Sequence, residues 1–165
     1  MFQRKYLILL SSVGFWVSFD QVTKLLMLMN LHLGESRQIV NDFFSFTLVR
    51  NSGAAFGLLA TLPVQLREPF FLVVPAVTLA LVLFVFARTA ESQQISLFAL
   101  SAVVGGALGN LVDRLRLTYV IDFLDFHWKD YYHFPAFNVA DCAITIGVAA
   151  LLFSMTFEKS EAKLK

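Results

Sequence analysis

The strongest constraint on the fold is an uncharged apolar run over residues 69–87, which ends at Arg88. A helix needs about 20 consecutive apolar residues to cross the hydrocarbon core of a bilayer. The run therefore predicts a membrane-spanning helix, which opens with Pro69 because a helix tolerates proline in its first turn. The whole chain has the same character. Of its 165 residues, 58% are hydrophobic and 15% are charged, against about 45 to 50% and 25% in soluble domains.

Three other apolar segments predict further helices. The first begins like a signal peptide, but no small-x-small cleavage site follows and apolar character resumes after Lys24, so we predict a retained helix. In the third predicted helix, Ala102 with Gly106, and Gly105 with Gly109, have the small-xxx-small spacing that lets helix backbones approach closely, which favours a central position. The predicted fold is a single all-α membrane domain, residues 1–165, with four transmembrane helices at about 6–29, 69–88, 95–116 and 138–157.

Two longer segments, at about 30–68 and 117–137, connect these helices. Phe44, Phe46 and Leu48 alternate with polar or β-branched residues, a period-two pattern that predicts a strand ending at Asn51. We expect a small sheet on the membrane surface. The second segment is predicted to be an interfacial loop, because aromatic side chains favour the headgroup level of a bilayer. These aromatic residues are Tyr119, Trp128, Tyr131, Tyr132, Phe134 and Phe137.

Orientation follows from the distribution of Lys and Arg near the ends of the predicted helices. One side of the membrane would carry the Lys and Arg residues of three very short segments, which are the two termini and the connection at Arg88. The other side would carry charges spread over longer segments. The higher density favours a cytoplasmic location for both termini, so the segments at 30–68 and 117–137 are expected to face outward.

Ionisable residues in or beside the membrane are the candidates for chemistry, because each costs on the order of 2.5 to 3.5 kcal/mol to insert. Asp20 and Lys24 are four residues apart, so they share a helix face and can form an ion pair. Asn110, Asp113 and Arg114 give the third helix a polar edge at its outer end. Structural networks explain both groups, and contact with a substrate is an equally open alternative for the second.

Two further aspartates stand out together. Asp122 lies among apolar residues in VIDFLDF, and Asp141 lies at the start of the fourth helix, where Asn138 could be the N-cap. Each alone could be structural. Both are expected at the outer ends of helices, where the bundle can bring them face to face. Two close carboxylates share one proton, so one can activate water while the other protonates a scissile carbonyl oxygen.

Other chemistries lack their residues. The chain has no HExxH motif, and His32, His127 and His133 lie outside the predicted helices without metal-ligand spacing, so we expect no metal and no cofactor. No histidine lies within a helix to activate a serine. The single cysteine, Cys142, excludes a disulfide scaffold and is expected to be a small buried residue. A net charge of +1 without a basic face argues against binding nucleic acid.

Two non-enzymatic functions remain open on residue chemistry alone. A small proton-coupled transporter or channel subunit could use Asp20, Lys24, Asp113 and Asp141 as a relay. A structural assembly subunit could use the small residues of the third helix, although this would leave Asp122 unexplained.

Five motifs, in order along nearly the whole chain, resemble those of bacterial lipoprotein signal peptidases, also called signal peptidase II. They are FDQVTK at 19–24, NSGAAFG at 51–57, GGALGNLVDRL at 105–115, VIDF at 120–123 and FNVAD at 137–141. The resemblance implies an aspartic endopeptidase whose catalytic pair is Asp122 and Asp141. It also implies that other motif residues bind substrate or support the site: Asn51, Gly53, Asn110, Arg114, Asn138, Asp20 and Lys24.

The resemblance further implies the substrate and the location. Proteins similar to this one remove the signal peptide from prolipoproteins just before a cysteine that carries a diacylglyceryl group. The site would lie at the outer face of the bacterial cytoplasmic (inner) membrane, where the enzyme would contact lipid and act as a monomer. Asp113 and Asp125 are the rival acids in this sequence, and the resemblance gives neither a catalytic role.

Overall fold

The computed structural model describes residues 4–53, 63–129 and 131–163. Four of the seven residues of the NSGAAFG motif, 54–57, lie outside these described residues, as does part of the segment at 30–68. The described residues form four helices and four strands. In chain order they are α1 (Arg4–Asn30), β1 (Ser36–Val40), β2 (Phe44–Asn51), α2 (Val64–Arg88), α3 (Gln94–Leu117), β3 (Val120–Trp128), β4 (Tyr132–His133) and α4 (Val139–Lys163).

Three helices of the described ranges are long and apolar enough to cross a membrane, over Pro69–Arg88, Gln94–Leu117 and Val139–Thr156. They match the second, third and fourth predicted spans. Helix α1 is not among them, because Asp20, Lys24 and several other polar residues dilute its apolar sequence. Its 27 residues nevertheless extend over about 40 Å at the helical rise of 1.5 Å per residue.

The predicted second span agrees with the structure, but the expectation that its helix opens with Pro69 is wrong. The helix begins at Val64, after Pro63, and Pro69 lies inside it together with Pro75. The amide of Leu66 donates to the carbonyl of Pro63 at 3.0 Å, which closes the first turn before Pro69 is reached. An internal proline usually kinks or breaks a helix, but membrane-spanning helices tolerate it because neighbouring groups satisfy the freed backbone carbonyl, and α2 continues through both prolines.

Helix α3 is central, as its small residues predict. Within the described structure it packs against α1, α2 and α4, whereas α2 packs mainly against α3. The start of α1 contacts only the last turns of α2, where Lys5 donates to the carbonyl of Ala87 at 2.7 Å. A Cβ atom built on Gly106 would lie 2.3 Å from the carbonyl oxygen of Ala140, and one on Gly105 would lie 2.7 Å from Cβ of Trp16. Glycine is therefore required where the backbones of α1 and α4 approach α3.

Gly106→Ala is expected to lower the thermal unfolding temperature in detergent, because the added methyl group must push α4 away from α3. Overpacking of this kind typically costs about 1 to 3 kcal/mol. Gly14→Ala is the matched control: it lies in α1 with nothing within 4 Å of the added Cβ, and alanine is the better helix former by about 1 kcal/mol. Equal unfolding temperatures for the two variants would contradict the close α3–α4 packing.

The strands form one antiparallel sheet in the order β1-β2-β3-β4 within the described part of the chain. Strand β2 confirms the strand predicted at residues 44–49 and its end at Asn51. Its pairing with β3 shifts between Phe46 and Val49, where an extra residue forms a bulge. Three pairs follow the shift, Val49 with Asp122, Arg50 with Ile121 and Asn51 with Val120, and they bring the end of β2 beside Asp122.

The segment at 117–137 is not the loop that the sequence predicts. Most of it is sheet, with β3 paired to both β2 and β4. Thr118 adopts a left-handed backbone (φ 69°) directly after α3, so the chain turns sharply from the helix into β3. The Asp113 carboxylate accepts a hydrogen bond from the amide of Ile121 at 3.1 Å and fixes β3 against the end of α3.

A small apolar core holds the sheet to the helices. Leu31, just after α1, packs with Leu48 of β2 and Ile121 of β3, and all three are buried. The sheet therefore covers the end of the bundle at which α1 and α3 end and α4 begins. Polar residues from all three helices meet β2 and β3 at this end.

Candidate active site

The start of α4 positions one of the two predicted acids. The side chain of Asn138 accepts a hydrogen bond from the amide of Asp141 at 3.0 Å, and the amide of Asn138 donates to the Asp141 carboxylate at 3.1 Å. This reciprocal pair is a capping box in which aspartate takes the usual place of glutamate. Asn138 is thus the predicted N-cap, and the cap also fixes the Asp141 side chain.

The second acid, Asp122, lies on β3 and is only 2% exposed. The side-chain amide of Asn51 donates to one of its oxygens at 2.9 Å, and that of Asn138 donates to the other at 2.7 Å. The bulge in β2 is what brings Asn51 to this position. Asn51 also accepts a hydrogen bond from the amide of Gly53 at 3.1 Å, which closes a tight turn after β2.

Asn138 connects the two acids directly. It donates to Asp122 through its side chain and contacts Asp141 through both its side chain and its backbone. Asn110 of α3 contacts the same pair: its Nδ2 donates to Asp141 at 2.8 Å, and its Oδ1 accepts from Asn138 at 3.1 Å. Two acids from distant parts of the sequence therefore share one set of amide partners.

Both acids line one open cavity of about 980 Å³. Its polar wall includes Asn51, Asn110 and Arg114, and its apolar wall is formed by residues 134–137 with Ile146. The Arg114 guanidinium is 5.7 Å from the ring centre of Phe71. Within the described part of the chain this guanidinium makes no hydrogen bond or ion pair, so its donors are available to a molecule in the cavity. A cavity of this size suits a peptide-sized ligand.

A buried ion network lies behind the cavity. The ammonium group of Lys24 is 2.8 Å from Asp20 and 2.8 Å from Asp113, and it donates to Oδ1 of Asn110 at 3.0 Å. The three charged side chains are almost fully inaccessible. Asp20 also accepts a hydrogen bond from the amide of Ala140 at 2.9 Å, one of the free donors at the start of α4. The network thus joins α1, α3 and α4 and anchors Asn110.

The two acids of the cavity differ in their electrostatic environment. Burial raises the pKa of Asp122 to about 7, and the nearby Asp141 carboxylate contributes to the rise, while the donors Asn51 and Asn138 oppose it. Asp141 is less buried and lies at the positive end of α4, where a carboxylate is favoured. At neutral pH about half of the Asp122 carboxyl groups therefore carry a proton.

All nine predicted site residues lie at one end of the bundle. Asn51, Gly53, Asn110, Arg114, Asp122 and Asp141 line the cavity, and Asn138 is buried beneath the two acids. Asp20 and Lys24 form the expected ion pair but lie behind the cavity. The sequence did not reveal Gln21, which donates to Asp113 at 2.9 Å. No sequence pattern around Gln21 predicts this contact, because it depends on how α1 packs on α3.

The expectation for the histidines needs correction. His127 and His133, expected to lie outside the helices without metal-ligand spacing, pair across β3 and β4 and lie beside Asp125. Because the intervening segment was taken as a loop, its tight reversal was not foreseen. Cys142 lines the cavity and is partly exposed, so the expectation of a buried cysteine is also wrong.

The fold and the cavity define a membrane enzyme. Two solved structures described as bacterial membrane enzymes are similar to this chain. One has a TM-score of 0.82 and 32% sequence identity, and the match covers 95% of this chain and 92% of the other. The second has a TM-score of 0.78 at 29% identity, over 89% and 91% of the two chains.

The family follows from sequence. The family model for signal peptidase (SPase) II matches residues 12–157. A lipoprotein signal peptidase of Geobacter sulfurreducens is 46% identical over 85% of this chain and 86% of its own. One of Desulforapulum autotrophicum is 43% identical over 87% and 88%, and one of Brevibacillus brevis is 44% identical over 84% and 88%. The chain therefore belongs to the signal peptidase II family of aspartic peptidases, which confirms the predicted family and enzyme class.

Proposed function

We propose that Asp122 and Asp141 are the catalytic pair with which this signal peptidase cleaves lipid-modified prolipoproteins. The observation that carries the proposal is the common position of the two acids, on one cavity wall and on the same partner, Asn138. Peptide hydrolysis by paired carboxylates needs one ionised and one protonated member. The raised pKa of Asp122, about 7, keeps a large fraction of this carboxyl group protonated at neutral pH, so that it can serve as the protonated member.

In this mechanism Asp141 removes a proton from water as the water oxygen attacks the scissile carbonyl carbon. Asp122 simultaneously donates its proton to the carbonyl oxygen, which yields a neutral tetrahedral gem-diol. On collapse, the C–N bond breaks, the leaving amine takes the proton from Asp141, and a hydroxyl proton returns to Asp122. The pair regains its initial protonation state, and no covalent enzyme intermediate forms.

The cavity walls fit a lipidated peptide. Residues 134–137 and Ile146 present apolar surface beside the acids, which suits the acyl chains and the apolar segment of a signal peptide. Arg114 can donate to peptide carbonyl groups or to ester oxygens of a diacylglyceryl group. We infer that the lipid on the cysteine holds the scissile bond at the depth of the acids, and that Asn51 and Gly53 border the bound peptide.

The proposed arrangement in the membrane uses α1 as a fourth spanning helix. Its length of about 40 Å is sufficient to cross a bilayer, and its polar residues Asp20 and Lys24 face α3 rather than lipid. The sheet and the cavity would lie at the outer face of the bacterial inner membrane, with both termini in the cytoplasm. The protein would act there as a monomer surrounded by lipid.

Purified protein in detergent is expected to cut a diacylglyceryl-modified preprotein and to leave the same preprotein uncut when its acceptor cysteine is replaced by serine. Product masses measured by mass spectrometry would locate the cut before the lipidated cysteine. A transporter or an assembly subunit would release no signal peptide from either preprotein. Cleavage of both preproteins at equal rates would contradict the proposed role of the lipid.

The pH dependence of cleavage tests the proton assignment. Because Asp122 must be protonated, kcat/KM is expected to fall as the pH rises through about 7, the pKa of Asp122. Asn51 lowers this pKa by donating to the carboxylate, so Asn51→Leu, which is similar in size, should move the alkaline limb to higher pH. A rate that increases steadily from pH 6 to pH 9 would contradict Asp122 as the acid.

A further inference from the structure

Outside the cavity, one cluster contains two histidines and a carboxylate. His127 on β3 pairs with His133 on β4, and their rings stack with centres 5.0 Å apart at an angle of 19°. Nδ1 of His133 is 3.3 Å from Oδ1 of Asp125, and Nδ1 of His127 is 3.8 Å from the same oxygen. Ligand atoms of all three residues lie within 4.8 Å of one another.

One atom of this cluster lacks a partner. Nδ1 of His127 is buried and makes no hydrogen bond, and the residue is only 9% exposed. The nearest acceptor of the cluster, Oδ1 of Asp125, is too distant at 3.8 Å for a hydrogen bond. A buried ring nitrogen without a partner costs free energy. Its position in the centre of the cluster indicates that a ligand supplies the missing interaction.

The carboxylate of the cluster is held in place from the opposite side. The hydroxyl of Thr47 on β2 donates to Oδ2 of Asp125 at 2.8 Å, and Ser36 on β1 contacts Thr47 at 2.9 Å. Oδ1 is therefore directed towards the two histidines. Hydrogen-bonded support of a ligating carboxylate is a regular property of metal sites.

We propose that Oδ1 of Asp125 and the Nδ1 atoms of His127 and His133 bind one Zn²⁺ ion. Zinc takes imidazole and carboxylate ligands at about 2.0 to 2.2 Å in a tetrahedron, which places neighbouring ligand atoms roughly 3.3 Å apart. The separations of 3.3 and 3.8 Å are close to this value. Because His133 is half-exposed, water can complete the tetrahedron. Two imidazoles select against Mg²⁺ and Ca²⁺, which prefer oxygen ligands.

This zinc site is separate from the proposed catalytic pair. Asp125 is three residues after Asp122 on β3, and odd separations in a strand put side chains on opposite faces. The ion would therefore act structurally, by fastening the short strand β4 to β3. Residues 134–137, which directly follow β4, line the apolar wall of the cavity. Zinc would thus stabilise the position of that wall without entering the reaction.

Zinc binding is tested on the full chain in detergent, purified with a tag that contains no histidine and freed of metal with a chelator. Titration with ZnCl₂ at pH 7.5 in a calorimeter is expected to show one ion per chain, and MgCl₂ should give no binding. His133→Ala and His127→Ala should each weaken zinc affinity at least about tenfold. His32→Ala is the matched control and should bind as the wild type does, because His32 lies outside the cluster.

Three further readouts complete the test. Zinc should raise the thermal unfolding temperature of the wild type but not of His133→Ala, and X-ray absorption should show two imidazole nitrogens at about 2.0 to 2.1 Å. Asp122→Asn should keep its zinc affinity. The proposal is overturned if the wild type binds no zinc, if His133→Ala binds it unchanged, or if Asp122→Asn loses it. Because the His133 side chain is half-exposed, this variant is expected to fold even where His127→Ala does not.

Discussion

Asp122→Asn and Asp141→Asn are each expected to lower the rate of prolipoprotein cleavage by about 10²- to 10⁴-fold, the usual contribution of a general acid or base. Asparagine at 141 cannot accept a proton from water. Asparagine at 122 cannot deliver one to the carbonyl oxygen. Each change removes one charge or proton and keeps the size of the side chain, so the measurement is the single-turnover rate on a lipidated preprotein, with circular dichroism to establish that the helices remain.

The matched control for both variants is Asp42→Asn. Asp42 is exposed in the turn between β1 and β2 and has a left-handed backbone (φ 58°), which asparagine adopts readily. The chemical change is the same but lies away from the cavity, so the cleavage rate should stay at the wild-type value. If the two cavity variants are folded and cleave as fast as Asp42→Asn, these acids are not the catalytic pair.

The two losses are also expected to be non-additive. The acids act in one proton transfer, so the double variant should be about as slow as the slower single variant. If the two acids contributed independently, the rate loss of the double variant would instead be the product of the two single losses. This comparison separates a joint role in the reaction from two unrelated effects on the shape of the cavity, because unrelated effects on distant groups usually add in free energy.

The helices were predictable because their signal is local. Apolar composition over about 20 residues is enough to locate a span, and the spacing of Gly105, Gly106 and Gly109 is enough to predict close packing of α3. The start of α2 was misplaced because Pro69 was assigned to the first turn, where proline is common, whereas membrane-spanning helices also tolerate proline in their interior.

Strand β3 was missed for a different reason. Its sequence, VIDFLDFHW, combines a nearly continuous apolar run with two acids, and most of its residues are buried. A strand buried on both faces lacks the alternation that identifies half-buried strands. The loop was predicted from the aromatic residues of the segment. The acids of the strand are satisfied by partners that lie far away in the sequence, such as Asn51 for Asp122 and Thr47 for Asp125.

The sequence predicted which residues lie at the candidate site, but not the hydrogen bonds that join them. The expectation that both acids lie at helix ends is wrong for Asp122, which lies on β3, although the two acids do meet at the predicted end of the bundle. The bridging role of Asn138 depends on atomic positions that the sequence does not reveal. The capping function of Asp141 and its proposed chemical function are compatible, because the cap fixes one carboxylate oxygen through the amide of Asn138 and the other is held by Asn110. A structural explanation of a residue therefore did not exclude a catalytic one.

Lys24→Met is expected to be the most destabilising single change outside the cavity. It would leave the carboxylates of Asp20 and Asp113 buried without their shared cation, each of them 2.8 Å from it in the wild type. Removing one partner of a buried ion pair costs about 3 to 5 kcal/mol, which is a large part of the total stability of a small domain. We expect a low yield and a clearly lower unfolding temperature in detergent.

Asp113→Asn should be destabilised less than Lys24→Met, because Lys24 retains its pairing with Asp20 and its contact with Asn110. Arg37→Met is the control, since the ion pair of Arg37 with Glu35 is 3.6 Å long and exposed, and pairs of that kind contribute little. Unfolding temperatures followed by tryptophan fluorescence should fall in the order Arg37→Met, Asp113→Asn, Lys24→Met. An Asp113→Asn variant with wild-type stability and no cleavage activity would instead assign Asp113 to the reaction, and the division between supporting network and catalytic pair would be wrong.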